Sequence, residues 1–105
     1  MTPPDVLVAS AEKLVARMPE LSPLSAGILR AADLGLAQDS RSFAQKMGLA
    51  HALVLRECVI LAEELGLIAL EMRNDRSQRL FYRLSAQGQV LLKETFADDS
   101  APTLG

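Results

Sequence analysis

Asp39-Ser40-Arg41-Ser42-Phe43-Ala44-Gln45-Lys46-Met47-Gly48-Leu49-Ala50-His51-Ala52-Leu53-Val54-Leu55-Arg56-Glu57-Cys58, running on to Leu65-Gly66, reads as two helices meeting at a glycine turn. Asp39 can cap the first through its side-chain oxygen, after which Phe43, Ala44 and Met47 face inward and Arg41, Gln45 and Lys46 face out. Gly48 permits a positive φ at the turn, and the small Ala44 lets the two helices approach closely. In the second helix, predicted over 50–65, Val54, Cys58, Leu61 and Leu65 recur at helical spacing and mark the inward face, and Gly66 stops it. Val59 and Ile60 lie outside that stripe but are expected to be covered by the core. Leu53 and Leu55, early in the helix, are expected to present an apolar surface to a partner.

Towards the N-terminus, Thr2-Pro3-Pro4-Asp5 is a helix start with Thr2 as cap, and Leu7, Ala11, Leu14, Val15 and Met18 fall on one side, opposite Glu12, Lys13 and Arg17. This predicts a helix over 3–18, ended by Pro19 and available as a dimerisation arm. Ser22-Pro23 repeats the start signal, and Leu24, Ile28, Leu29 and Ala32 give the next helix its apolar stripe before Gly35 closes it. The connector Leu36-Ala37-Gln38 has room for one strand-like pairing. From Leu67 the period alternates, with Ile68, Leu70 and Met72 on one side and Ala69, Glu71 and Arg73 on the other. After a polar turn over 74–78, Leu80, Tyr82 and Leu84 alternate with Arg79, Phe81 and Arg83 in a return strand. Ser85 caps a last helix over 86–96, and the segment 97–105 has nothing to bury, which predicts a disordered tail. The fold class is mainly α with a small β-hairpin, in the order α-α-(β)-α-α-β-β-α, as one domain over 1–96.

A chain of 105 residues can close one core, and half of its residues are hydrophobic with no Trp, one Tyr and three Phe, so that core is aliphatic. No apolar run approaches the roughly 18 residues of a membrane span, and the first residues lack the basic start of a signal peptide. The lone Cys58 cannot form an intrachain disulfide, which agrees with a reducing, cytoplasmic compartment. It sits on the apolar stripe and is read as buried filler. Net charge is −2, so any contact with nucleic acid has to come from a local patch. That patch is Arg73, Arg76, Arg79 and Arg83, opposed only by Asp75 within 73–83. There is no Gly-rich phosphate loop, no GxSxG and no Cys and His placed to activate one another, and adjacent Glu63 and Glu64 point in different directions on a helix. The chain is therefore read as no enzyme. His51 is the only histidine and stands in no ligand-spaced cluster, so neither metal nor cofactor is expected.

Three stretches carry a resemblance. Ser42-Phe43-Ala44-Gln45-Lys46-Met47-Gly48-Leu49 looks like the "x-L-A-x-x-L-G-L" helix-turn of bacterial winged-helix repressors. Leu61-Ala62-Glu63-Glu64-Leu65-Gly66-Leu67-Ile68 is similar to their "L-x-E-x-G-L-[VI]" passage from recognition helix into wing. Arg79-Leu80-Phe81-Tyr82-Arg83-Leu84-Ser85-Ala86-Gln87-Gly88 resembles the "R-x-x-Y-x-L-T-x-x-G" return strand and helix start. MarR-like, PadR-like and ArsR-like transcription regulators share these pieces. The resemblance implies a winged helix-turn-helix whose second helix enters the major groove of duplex DNA and whose wing arginines touch phosphate or the minor groove, often from a homodimer.

Carried over, His51 and Arg56 stand on the groove-facing side, Arg73, Arg76 and Arg79 about the wing, and Arg41 and Lys46 as backbone contacts from the first helix of the motif. Homodimerisation would use the apolar surplus of Val6, Leu7, Leu14 and Met18, with Leu53 and Leu55 as further interface residues. Base edges are read by groups that hydrogen-bond, yet this chain has Ala50, Ala52, Leu53 and Leu55 where such groups belong. The alternative expectation is a winged helix used as a protein-interaction module, with an apolar recognition-helix face and little or no DNA binding.

Overall fold

A computed structural model describes residues 3–74 and 76–97. The helices are α1 (Pro3–Arg17), α2 (Pro23–Asp33), α3 (Ser40–Met47), α4 (His51–Val59) and α5 (Ala86–Thr95), and the strands β1 (Ile68–Asn74) and β2 (Arg79–Leu84) form an antiparallel hairpin between α4 and α5. Thr2, expected as the first cap, Asp75, and residues 98–105 of the expected tail lie outside the described residues.

The local signals act through identifiable bonds. Ser22 caps α2 by accepting from the Ser25 backbone N–H at 3.0 Å, while the Ser25 hydroxyl oxygen accepts from the Ser22 N–H at 2.9 Å. Gly35 (φ 72°) and Gly48 (φ 65°) close α2 and α3 in the left-handed region. There Leu36 N–H bonds Ala31 O and Leu49 N–H bonds Ala44 O, which satisfies carbonyls that the helix end would leave open. The connector after α2 does pair once: Tyr82 N–H donates to Gln38 O at 3.2 Å, and Asp39 bridges Phe81.

The core is organised around α2, whose Ser25, Ala26, Gly27, Ile28, Leu29 and Ala31 are all buried and on which α1, α4, α5 and β2 pack. Fully burying side chains such as Leu14, Ile28, Leu29 and Leu61 stabilises the fold by about 1.5–3 kcal/mol each. A Cβ on Gly27 would reach van der Waals contact with Phe43 Cζ, at 3.4 Å, so the glycine leaves the side of that ring uncovered.

Three readings of the sequence are corrected. The second helix of the pair is not α-helical to residue 65: Ile60–Glu64 is a π-helical turn, in which Leu65 N–H bonds Ile60 O at 3.1 Å. Val59, expected in the core, is 36% exposed, and Ile60 is half-buried. With Val54, Cys58 and Leu61 facing in, the rotation of about 100° per residue carries Val59 to a flank that the described elements leave partly open.

On β1, Leu70 pairs with Tyr82 but Met72 pairs with Phe81, so Glu71 is an extra residue that breaks the alternation. This bulge moves Met72 off the face of Ile68 and Leu70 and onto that of Phe81, where it is 59% exposed, and sets Arg73 opposite Leu80.

The hairpin is fastened at its base. Ser85 N–H donates to Leu67 O at 3.0 Å, and the Ser85 hydroxyl donates to Gly66 O at 2.7 Å while accepting the Gly88 N–H at 3.0 Å. Gly88 is required by space: a Cβ there would fall 2.1 Å from Leu67 O. On the far side, α5 is held to α1 by Arg17–Glu94 (2.9 Å), and Arg30 of α2 lies 3.8 Å over the Phe96 ring.

Candidate nucleic-acid interface

The beginnings of α3 and α4 and the first residues of β2 converge on two short side chains. Asp39 accepts from the Ser42 N–H at 2.9 Å and the Ser42 hydroxyl at 2.8 Å, capping α3, and its Oδ2 lies 3.1 Å from Arg79 Nε. The Arg79 contact is an ion pair rather than a well-aligned hydrogen bond. Ser40, fully buried, accepts the Leu80 backbone N–H at 3.0 Å and stands 2.8 Å from His51 Nε2. The Ser40 hydroxyl thereby joins Leu80 to His51, as donor or acceptor according to the imidazole tautomer, and neither role requires a charged ring. The electrostatics agree. The His51 pKa is lowered from its ordinary value, first by burial and then by the charges of Arg41 and Arg79, with Asp39 opposing.

Of the residues singled out from the sequence, Arg41, His51 and Arg79 are thus brought together from three elements, with His51 half-buried as the link. Arg41, Lys46 and Arg56 are exposed and make no ion pair or hydrogen bond among the described residues. The hairpin arginines are held differently. Arg73 donates to Gln78 Oε1 at 2.6 Å, Arg79 pairs with Asp39, and Arg83 pairs with Glu71 at 3.2 Å. Arg76 lies in the turn and is exposed. The outward line of α4 and the π turn is Ala52, Arg56, Val59 and Glu63, one cation among two apolar residues and an acid.

The residues read as interface candidates separate clearly. Leu7 and Leu14 are core residues of the chain itself, 2% and 0% exposed, while Val6, Met18 and Leu55 are half-buried, the last two packed on the core. Leu53 is 41% exposed, and Val8, which the spacing did not single out, is 56% exposed.

Behind the hairpin, Cys58 and Tyr82 are buried side by side. Desolvation pushes the Cys58 thiol up to about 12 and the Tyr82 hydroxyl well above its ordinary value. The Tyr82 hydroxyl has the thiol as polar neighbour but no hydrogen bond of normal geometry.

Ser40 was missed because a serine inside a helix start is indistinguishable in sequence from a solvated one. The Asp39–Arg79 pair joins residues 40 positions apart, and Asp39 offered only its capping signal. Glu57 was likewise unassigned, yet it accepts the Ser22 hydroxyl at 3.1 Å and ties α4 to the start of α2. Among the described residues no group of three or more His, Cys, Asp or Glu converges on one point, and no helix is long and apolar enough to cross a membrane. Compared with protein-family models, with curated proteins and with solved structures, the chain gives no match.

Proposed function

We propose that this chain is a winged-helix transcription regulator of the cytoplasm that binds duplex DNA as a homodimer, with α4 set against the major groove and the β1–β2 hairpin as the wing. One observation carries the reading: Arg41 of α3 and Arg79 of β2 both act electrostatically on His51 at the start of α4, so two cations from separate elements gather at one end of the helix pair. Arg41, Lys46 and Arg56 supply unpaired charge for phosphates, and Arg73 and Arg76 sit at the far end of the hairpin. His51 serves the site by joining α4 to Ser40 and β2 rather than by reaching a base. The half-buried Val6 of α1 and the 53% exposed Val90 of α5 are available to the homodimer.

Binding to a random duplex, measured against salt, tests the reading. Affinity should fall steeply between 50 and 200 mM salt, by a factor of roughly 10³ if about six phosphates are engaged. No binding at low salt refutes it. The exposed Leu53 and Val59 on α4 favour a second reading, a protein-docking module. That reading expects no DNA binding at low salt together with capture of a protein partner that Leu53→Asp abolishes.

A further inference from the structure

Between α1 and the helices α2, α3 and α4 runs an open groove of about 720 Å³. Val8 and Val15 of α1, Leu24 of α2, Phe43 and Met47 of α3 and Leu53 of α4 line it, and Gly27 keeps it open by bringing no side chain. One lining residue carries charge: Glu12, exposed on α1 and without hydrogen bond or ion pair among the described residues. A concave apolar volume between about 300 and 1,000 Å³ with few polar groups is the form of a small-molecule site. The lone acid defines the sign of what completes it.

We infer that this groove binds a compact hydrophobic cation: an aromatic or branched aliphatic body seated between α1 and the α3–α4 pair, with its positive charge against Glu12. The body removes Val8 and Leu53, 56% and 41% exposed, from water, and the charge gives Glu12 the partner it lacks. A second copy docked through its own α1 matches the groove less well, since the cations of that helix are engaged. Lys13 lies 5.9 Å over the Phe96 ring, and Arg17 is paired with Glu94. The site stands whether or not the chain binds DNA.

The test uses two ions of one shape and opposite charge, tetraphenylphosphonium and tetraphenylborate, titrated calorimetrically into the full chain. The phosphonium should saturate one site per chain. Glu12→Gln should weaken it about fivefold, the worth of one exposed ion pair, while leaving the borate equal or tighter. Ala16→Trp, at an exposed groove position, should remove binding of both ions with an unchanged urea midpoint. No saturable phosphonium binding, or binding that neither variant alters, overturns the inference. So does a sedimenting dimer that excludes the phosphonium and that Val8→Asp dissociates.

Discussion

On the hairpin, Arg73 is held by Gln78, Arg79 by Asp39 and Arg83 by Glu71, whereas Arg41, Lys46 and Arg56 on α3 and α4 have no such partner. In the sequence the hairpin is the denser cationic run, with four arginines against one acid within 73–83. Folding reverses the order of availability, because antiparallel pairing brings Glu71 beside Arg83 and the bridge between Asp39 and Phe81 brings a carboxylate to Arg79. A guanidinium already facing a carboxylate releases fewer counterions when it meets a phosphate. Local charge density in a chain is therefore a poor guide to the charge its surface can offer.

The contrast depends on the hairpin staying docked, and the largest effect is expected where it is fastened. Gly88→Ala would set a methyl 2.1 Å from Leu67 O and should cost about 3 kcal/mol or more, read from the urea midpoint. A cost below 1 kcal/mol would mean that the hairpin base yields freely. Asp39→Ala tests the contrast itself. Loss of the α3 cap and of the Arg79 pair should lower stability by about 1–2 kcal/mol, yet duplex affinity should rise several-fold because Arg79 is freed and a negative charge is gone. A fall in affinity would show that Asp39 orients Arg79 for contact.

Among the free cations, Arg41→Ala and Arg56→Ala should each reduce the slope of log affinity against log salt by about 1, and Arg83→Ala should change it by less. Equal slopes for all three variants would erase the distinction between the two regions.

The smallest effect concerns His51. Its folded pKa lies below the ordinary 6.5, so the unfolded chain takes up the proton first on acidification. The stabilisation is complete above the unfolded pKa and is lost as pH falls from about 6.5 towards the folded pKa. His51→Gln should flatten that part of the pH profile, as measured by urea midpoints between pH 7.5 and 5. An unchanged profile would detach His51 from the Ser40 link.

The fold was legible wherever one residue states its own geometry. Gly35, Gly48 and Gly66 take positive φ where helices were expected to stop, Ser22, Asp39 and Ser85 cap where helices were expected to begin, and Val54, Cys58 and Leu61 are fully buried as their spacing required. Readings failed where geometry depends on a partner. The bulge at Glu71 appears only when β1 is set against β2, and it undid the face assigned to Met72. The π turn appears only in the helix's own bonding, and Val59 stays outside because no element among the described residues buries it.

For the candidate site, the residue types were found but not their pairing. Arg79 was read as a wing cation and His51 as a base-reading group, yet one is turned towards Asp39 and the other towards Ser40.

By itself, then, the sequence determined a mainly helical chain with a hairpin before its last helix, because periodicity, caps and glycines act within a few residues of themselves. Only the tertiary structure decided which cations are free, which apolar residues are spare and that α1 encloses a groove with α2, α3 and α4. Those properties are set by contacts between residues tens of positions apart, and no short-range pattern encodes a neighbour that the fold has yet to supply.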